Sequence, residues 1–203
     1  MRKMTKPTDD AAQVFRTCIS NMQDQELKQR LESIVAVIAD AAIGFESAAV
    51  RFGFYQIPRT NDGTGIVTKK ELIDVYDKGM VQRSLGRVIY NKILMAPPFG
   101  ICPLCGQRTV SSLDHYLPKS HYPVLAVVPV NLIPACAECN KIKSEKFPTS
   151  AKDQTLHPYY DDVDSECWLS AKVLQGSPVA LLFFVKPPEE WCEIKVFRVK
   201  HHF

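Results

Sequence analysis

The sequence predicts an α+β protein in three parts: a helical region over residues 1–95, a small cysteine-bearing module over 96–150 and a short α/β tail over 151–203. Three observations predict it. Apolar residues recur at helical spacing through the first hundred positions. Two Cys-x-x-Cys pairs, Cys102/Cys105 and Cys136/Cys139, then bracket short β-prone runs broken by Pro and Asn. After Leu156, apolar segments alternate with polar loops. A chain of 203 residues, 46% of them hydrophobic, is long enough to bury a core without disulfides.

The elements follow in order. Thr8-Asp9-Asp10 offers N-caps for a helix through about Asn21. From Gln25 to about Phe52 the residues Leu27, Leu31, Ile34, Val35, Ile38, Ala41, Ala42 and Phe45 predict one long amphipathic helix. Arg59 to Gly65 is a turn-rich loop. Thr68-Lys69-Lys70-Glu71 has the form of a capping box and opens a helix carrying Leu72, Val75 and Tyr76. A further helix is predicted from Val81 to Leu94, ended by Pro97-Pro98-Phe99-Gly100. In the tail, the acidic run Asp161, Asp162, Asp164 and Glu166 reads as a solvated loop, and Val179–Val185 and Trp191–Val199 read as strands.

Charge narrows the function classes modestly. There are 25 basic and 22 acidic residues, a formal charge of +3. Nineteen basic and fourteen acidic residues fall in the first 150 positions, a bias that permits nucleic-acid binding without demanding it. The 14 Pro and 9 Gly show no period, which excludes collagen-like and coiled-coil classes. The longest apolar run, Val179–Val185, is too short to cross a bilayer, and MRKMTKPTDD lacks the apolar stretch of a secretory signal. A cytoplasmic protein is expected.

Seven cysteines, an odd number, argue against a disulfide framework. Cys18, Cys167 and Cys192 stand alone and are expected to be small buried apolar residues. The other four form two pairs, with thirty residues between Cys105 and Cys136. Four thiolates suit tetrahedral Zn2+ with no open position, so the ion would act as a structural staple. A redox Cys-x-x-Cys has no need of a second copy.

Between and after the cysteine pairs stand LDHYLPKS, NLIPAC and CNKIK. In these the sequence resembles the HNH, or ββα-metal, endonuclease family. The resemblance implies that His115 is the general base and Asn131 the middle motif residue, which stiffens the loop around it. It makes Asn140 the last motif residue, on the following helix. Asp114 matches the carboxylate that accompanies the histidine, so Asp114 and Asn140 are the expected ligands of a catalytic Mg2+ or Mn2+. Asn at the last position, where many members have His, makes this an HNN form. Independently of the family, hydrolysis of a phosphodiester needs an activated water and positive charge at the phosphate, and a neutral imidazole can supply the first. Lys119, His121 and Lys143 are candidate nucleic-acid contacts, or solvated surface.

A wider likeness runs through LGRVIYNKI, APPFGICPLCG, DHYLPKSHYPVLAVVPVNLIPAC and LHPYYDD. It is similar to the HNH nucleases of bacterial anti-phage defence, including the Septu nuclease subunit and its retron-associated relatives. That similarity implies DNA as substrate, with RNA left open, and an ABC-type or SMC-like ATPase as partner, docked on the N-terminal helices. Two competing readings stand beside it: a zinc module that holds DNA without cutting, and a scaffolding subunit of an ATPase complex.

Overall fold

The computed structural model describes residues 1–203. Its helices are α1 (Ala11–Ile19), α2 (Gln25–Ser33), α3 (Val35–Val50), α4 (Lys69–Asp74), α5 (Ser84–Leu94), α6 (Ala137–Lys143) and α7 (Glu193–His202). Two small antiparallel sheets complete it: β1 (Ser112–His115) with β2 (Leu132–Ala135), and β3 (Leu169–Leu174) with β4 (Ala180–Val185). The class is mixed α and β, as the sequence predicts.

The Asp10 side chain caps α1 by accepting from the Gln13 N–H at 2.8 Å. The predicted Gln25–Phe52 helix is two helices bent by 45° at Ile34. Composition explains the break. α2 is polar on most faces and buries only Leu31, whereas α3 buries Val35, Ile38, Phe45, Ala48 and Ala49. The bend lets α3 enter the core while α2 stays outside. No single helix is long and apolar enough to cross a membrane.

The capping box forms: the Thr68 hydroxyl accepts from Glu71 N–H, and the Glu71 carboxylate accepts from Thr68 N–H at 2.8 Å. The helix then widens into a π turn over Val75–Met80. This delays α5, which starts at Ser84 instead of Val81. Two glycines permit a close approach here. A Cβ on Gly86 would lie 2.1 Å from the Gly79 carbonyl, and one on Gly79 would lie 2.6 Å from the Cys18 carbonyl. α1, the π turn and α5 therefore meet backbone to backbone.

One cluster of 35 buried residues joins the N-terminal helices to the β1–β2 hairpin and its connecting loop, including Phe15, Phe45, Met80, Leu113, Val128 and Leu132. The helical region and the cysteine-bearing module thus share a single core. A smaller cluster holds the tail: Met1, Leu156, Val163, Trp168, Trp191 and Val199.

The tail departs from the sequence reading in three places. Trp191–Val199 is predicted as a strand but lies mostly in α7, whose Glu193 in the first turn and Lys200, His201 and His202 in the last suit the helix dipole. Trp191, just before the helix, and Val199, near its end, both face inward, and the alternating run Glu193 to Val196 fits either period. Asp161 is not solvated: it accepts from the Arg198 guanidinium at 2.7 Å in a buried pair. Cys167 and Cys192 are exposed, and only Cys18 is the buried apolar cysteine expected of the three. One face of the β3–β4 hairpin is wholly apolar, bearing Leu169, Ala171, Val173, Leu181, Phe183 and Val185. Most of that face is exposed.

Candidate functional site

The two Cys-x-x-Cys turns come together. The thiols of Cys102, Cys105, Cys136 and Cys139 all lie within 4.8 Å of one another, so this cluster could hold a zinc ion. Gly106, at a positive φ of 69°, turns the chain just after the first pair. The turn aims the Gln107 and Arg108 N–H groups at Cys105. Burial pushes the Cys105 thiol up, but these donors and the neighbouring thiols outweigh it and bring it down to about 7. The second pair opens α6, with the Cys136 sulfur accepting from Cys139 N–H at 3.5 Å. The cluster ties the segment before β1 to the start of α6.

β1 and β2 pair with Asp114 opposite Ile133 and His115 opposite Leu132. The residues between them form a buried loop closed by Asn131, which is fully buried. Its Oδ1 accepts from Leu117 N–H at 2.8 Å, and its Nδ2 donates to the Leu117 and Leu125 carbonyls at 3.0 and 3.2 Å. That amide stiffens the loop.

The stiffened loop presents the Ala126 carbonyl, 2.8 Å from His115 Nε2. A carbonyl only accepts, so the imidazole proton sits on Nε2 and the Nδ1 lone pair is left free. The ring is 7% exposed, edge-on to Tyr76 with centroids 4.5 Å apart. Burial is the main reason its pKa falls to about 3, and the carbonyl opposes it only in part. His115 is neutral at physiological pH.

Asp114 lies on the same strand under α6. Lys143, three residues past Asn140, sets its ammonium 3.3 Å from Asp114 Oδ1 and on the His115 carbonyl. Burial pushes the Asp114 carboxyl up to about 6 and pushes Lys143 down, against their mutual attraction. The other carboxylate oxygen, Oδ2, is buried without any partner. Asn140 donates to the Ser112 hydroxyl at 3.0 Å, two residues before Asp114, while its carboxamide oxygen makes no hydrogen bond within the chain. Asp114 and Lys143 open into a cavity of about 470 Å3 whose wall includes Lys146, Trp168, His201 and Phe203.

The three candidate nucleic-acid contacts fare differently. Lys143 is held inside on Asp114. Lys119 pairs with Asp77 and lies over the Tyr76 ring. His121 rests against Phe147, with centroids 4.7 Å apart. Sequence reading missed Tyr76, the shelf for His115, and Tyr90, whose hydroxyl accepts from the Leu113 N–H at 3.3 Å. It also missed the Ala126 carbonyl, since a backbone group leaves no mark in the residue order.

Protein ea31 of Escherichia phage lambda is 33% identical to this chain over 143 residues, covering 68% of this chain and 48% of that protein. The chain thus spans about half the length of the curated relative it matches. No protein-family profile and no solved structure matches the chain.

Proposed function

We propose that the chain is a metal-dependent endonuclease of the HNH kind that hydrolyses DNA phosphodiester bonds, as the nuclease component beside an ATPase in anti-phage defence. The observation that carries the reading is the state of His115. A side chain held by Ala126, itself placed by Asn131, keeps a neutral imidazole with Nδ1 free to take a proton from water. Its low pKa makes it a weak base in the free protein. A phosphate seated beside the ring brings negative charge and raises its proton affinity in the complex.

Asp114 and Asn140 each keep an oxygen of the kind a hard cation takes. A buried carboxylate oxygen without a partner and the unbonded carboxamide oxygen of Asn140 are oxygen ligands of the sort Mg2+ and Mn2+ prefer. When bound, such an ion neutralises a non-bridging phosphate oxygen and steadies the departing 3′-oxygen, leaving a 5′-phosphate. Lys143 sits where it can share Asp114 or turn its ammonium to the phosphate. The cysteine cluster has a separate task, holding the hairpin and α6 at fixed spacing.

The ATPase partnership rests on the sequence likeness. Val37, Ile43, Leu85, Val88 and Met95 are exposed on or beside α3 and α5, apolar surface suited to a docked subunit. Co-purification with the neighbouring gene product tests that part.

A second reading, a zinc module that binds DNA without cutting, draws on one observation: Lys143 already supplies Asp114 with a counter-charge. Plasmid incubated with Mg2+ or Mn2+ separates the two. Wild type should nick it, while His115→Ala should fall at least about 100-fold, as for loss of a general base, with zinc content and melting unchanged. Equal cutting by both proteins, or none by wild type with any metal or partner, would overturn the nuclease reading.

A further inference from the structure

Outside the Asp114 cavity lies a second one of about 440 Å3, lined by Tyr55, Arg59, Tyr122, Phe147 and Pro148 among others. The two cavities share Phe147 and Pro148, which form a ridge common to both. We propose that this groove holds unstacked nucleotides of a single-stranded segment and leads it over the ridge toward Asp114. The inference rests on the nuclease reading for its direction, but the binding itself does not.

Two features give the groove this chemistry. Its cation is free: Arg59 has no carboxylate partner, and its guanidinium lies over the Phe147 ring, 5.3 Å from the centroid. Lys146, on the Asp114 side of the ridge, is exposed and also unpaired. Free cations on either side of an aromatic ridge suit successive phosphates, and flat rings suit the bases between them. Tyr55 is 37% exposed, and His121 packs on Phe147 beside it. The groove is also built into the fold. The Thr60 N–H donates to the His121 carbonyl at 3.0 Å, which pins the Arg59 loop to the segment after β1. Its volume suits one or two nucleotides. A duplex could not enter it with its bases stacked.

The test is fluorescence anisotropy with a labelled 20-nucleotide single strand and the matching duplex, over a salt series. The protein carries His115→Ala and the buffer contains Ca2+, so that the strand stays intact. Single strand should bind more tightly than duplex. Arg59→Ala should weaken it about 10-fold and lower the salt slope by about one. Tyr55→Leu and Phe147→Leu, which keep apolar volume but remove a flat face, should each weaken it about 5-fold or more with little change in slope. Lys172→Ala, which removes an unpaired cation from the β3–β4 hairpin, should leave binding unchanged. Equal losses in Arg59→Ala and Lys172→Ala, equal affinity for duplex, or no binding at all would overturn the groove. If the single strand binds through these residues but wild type never cuts, the groove stands and the nuclease reading falls.

Discussion

Asn131 shows how one buried amide can set the state of another side chain, His115. Its amide makes three buried hydrogen bonds, and each partner is a backbone group that has no other side chain to turn to. Asn131→Ala would leave the Leu117 N–H and carbonyl unpaired, at about 1–3 kcal/mol apiece before relaxation, while the Leu125 carbonyl keeps the Val128 N–H. A loss of about 3 kcal/mol in urea unfolding is expected, with zinc still bound. A loss under about 1 kcal/mol would mean that the loop holds its shape without the amide. Because the loop also carries the Ala126 carbonyl, any cleavage activity should fall along with stability. Asp114, His115, Asn131 and Asn140 could be picked out as candidates because side-chain types at set spacings leave a trace in the sequence. The imidazole's tautomer was not, because a backbone carbonyl decides it.

At the scale of elements, the junction of α1, the π turn and α5 depends on two absent side chains. A methyl group at Gly86 would overlap the Gly79 carbonyl, and that atom belongs to backbone that cannot swing aside. Gly86→Ala would ordinarily favour a helix, by about 1 kcal/mol. Here overpacking of about 1–3 kcal/mol or more opposes it, so net destabilisation is expected in a thermal melt. A stabilised variant would mean that α5 does not approach the π turn so closely. This junction was hidden in the sequence, where the helix predicted over Val81–Leu94 runs through Gly86 with no sign of the backbone it approaches. The capping box at Thr68 was legible because its signal is local: both partners lie within one turn. The strand predicted over Trp191–Val199 failed for the opposite reason. Its alternating stretch satisfies two periods at once, and the choice falls to the distant Asp161 and Trp168 surfaces that receive α7.

Across the whole molecule, acid and metal should act on one shared core. His157 is fully buried, and burial first, then the Arg198 charge, lowers its pKa from 6.5 to about 3. The unfolded chain binds the proton more readily, so stability falls as pH drops from about 6.5 towards 3. At about 1.4 kcal/mol per pKa unit the effect is on the order of 5 kcal/mol. His157→Asn, whose Oδ1 can accept from Tyr159 N–H as Nδ1 does now, should flatten this part of the stability curve. An unchanged slope would move the acid sensitivity elsewhere. The four-cysteine cluster, which could hold zinc, bears on the same core from its edge. Cys102 and Cys136 are buried, and Leu113, Leu132 and Ile133 beside them belong to the cluster that also contains Phe15 and Phe45. Loss of the staple therefore should not free an intact helical domain. Cys105→Ser should release zinc and lower the whole melting curve as one transition. At about 2–4 °C per kcal/mol for a chain of this size, and with structural zinc contributing several kcal/mol, the shift should reach about 10 °C or more. Calorimetry with far-ultraviolet dichroism reads this directly. Two separated transitions, with helical signal surviving the first, would mean that the helices and the hairpin fold independently in spite of the apolar surface they share.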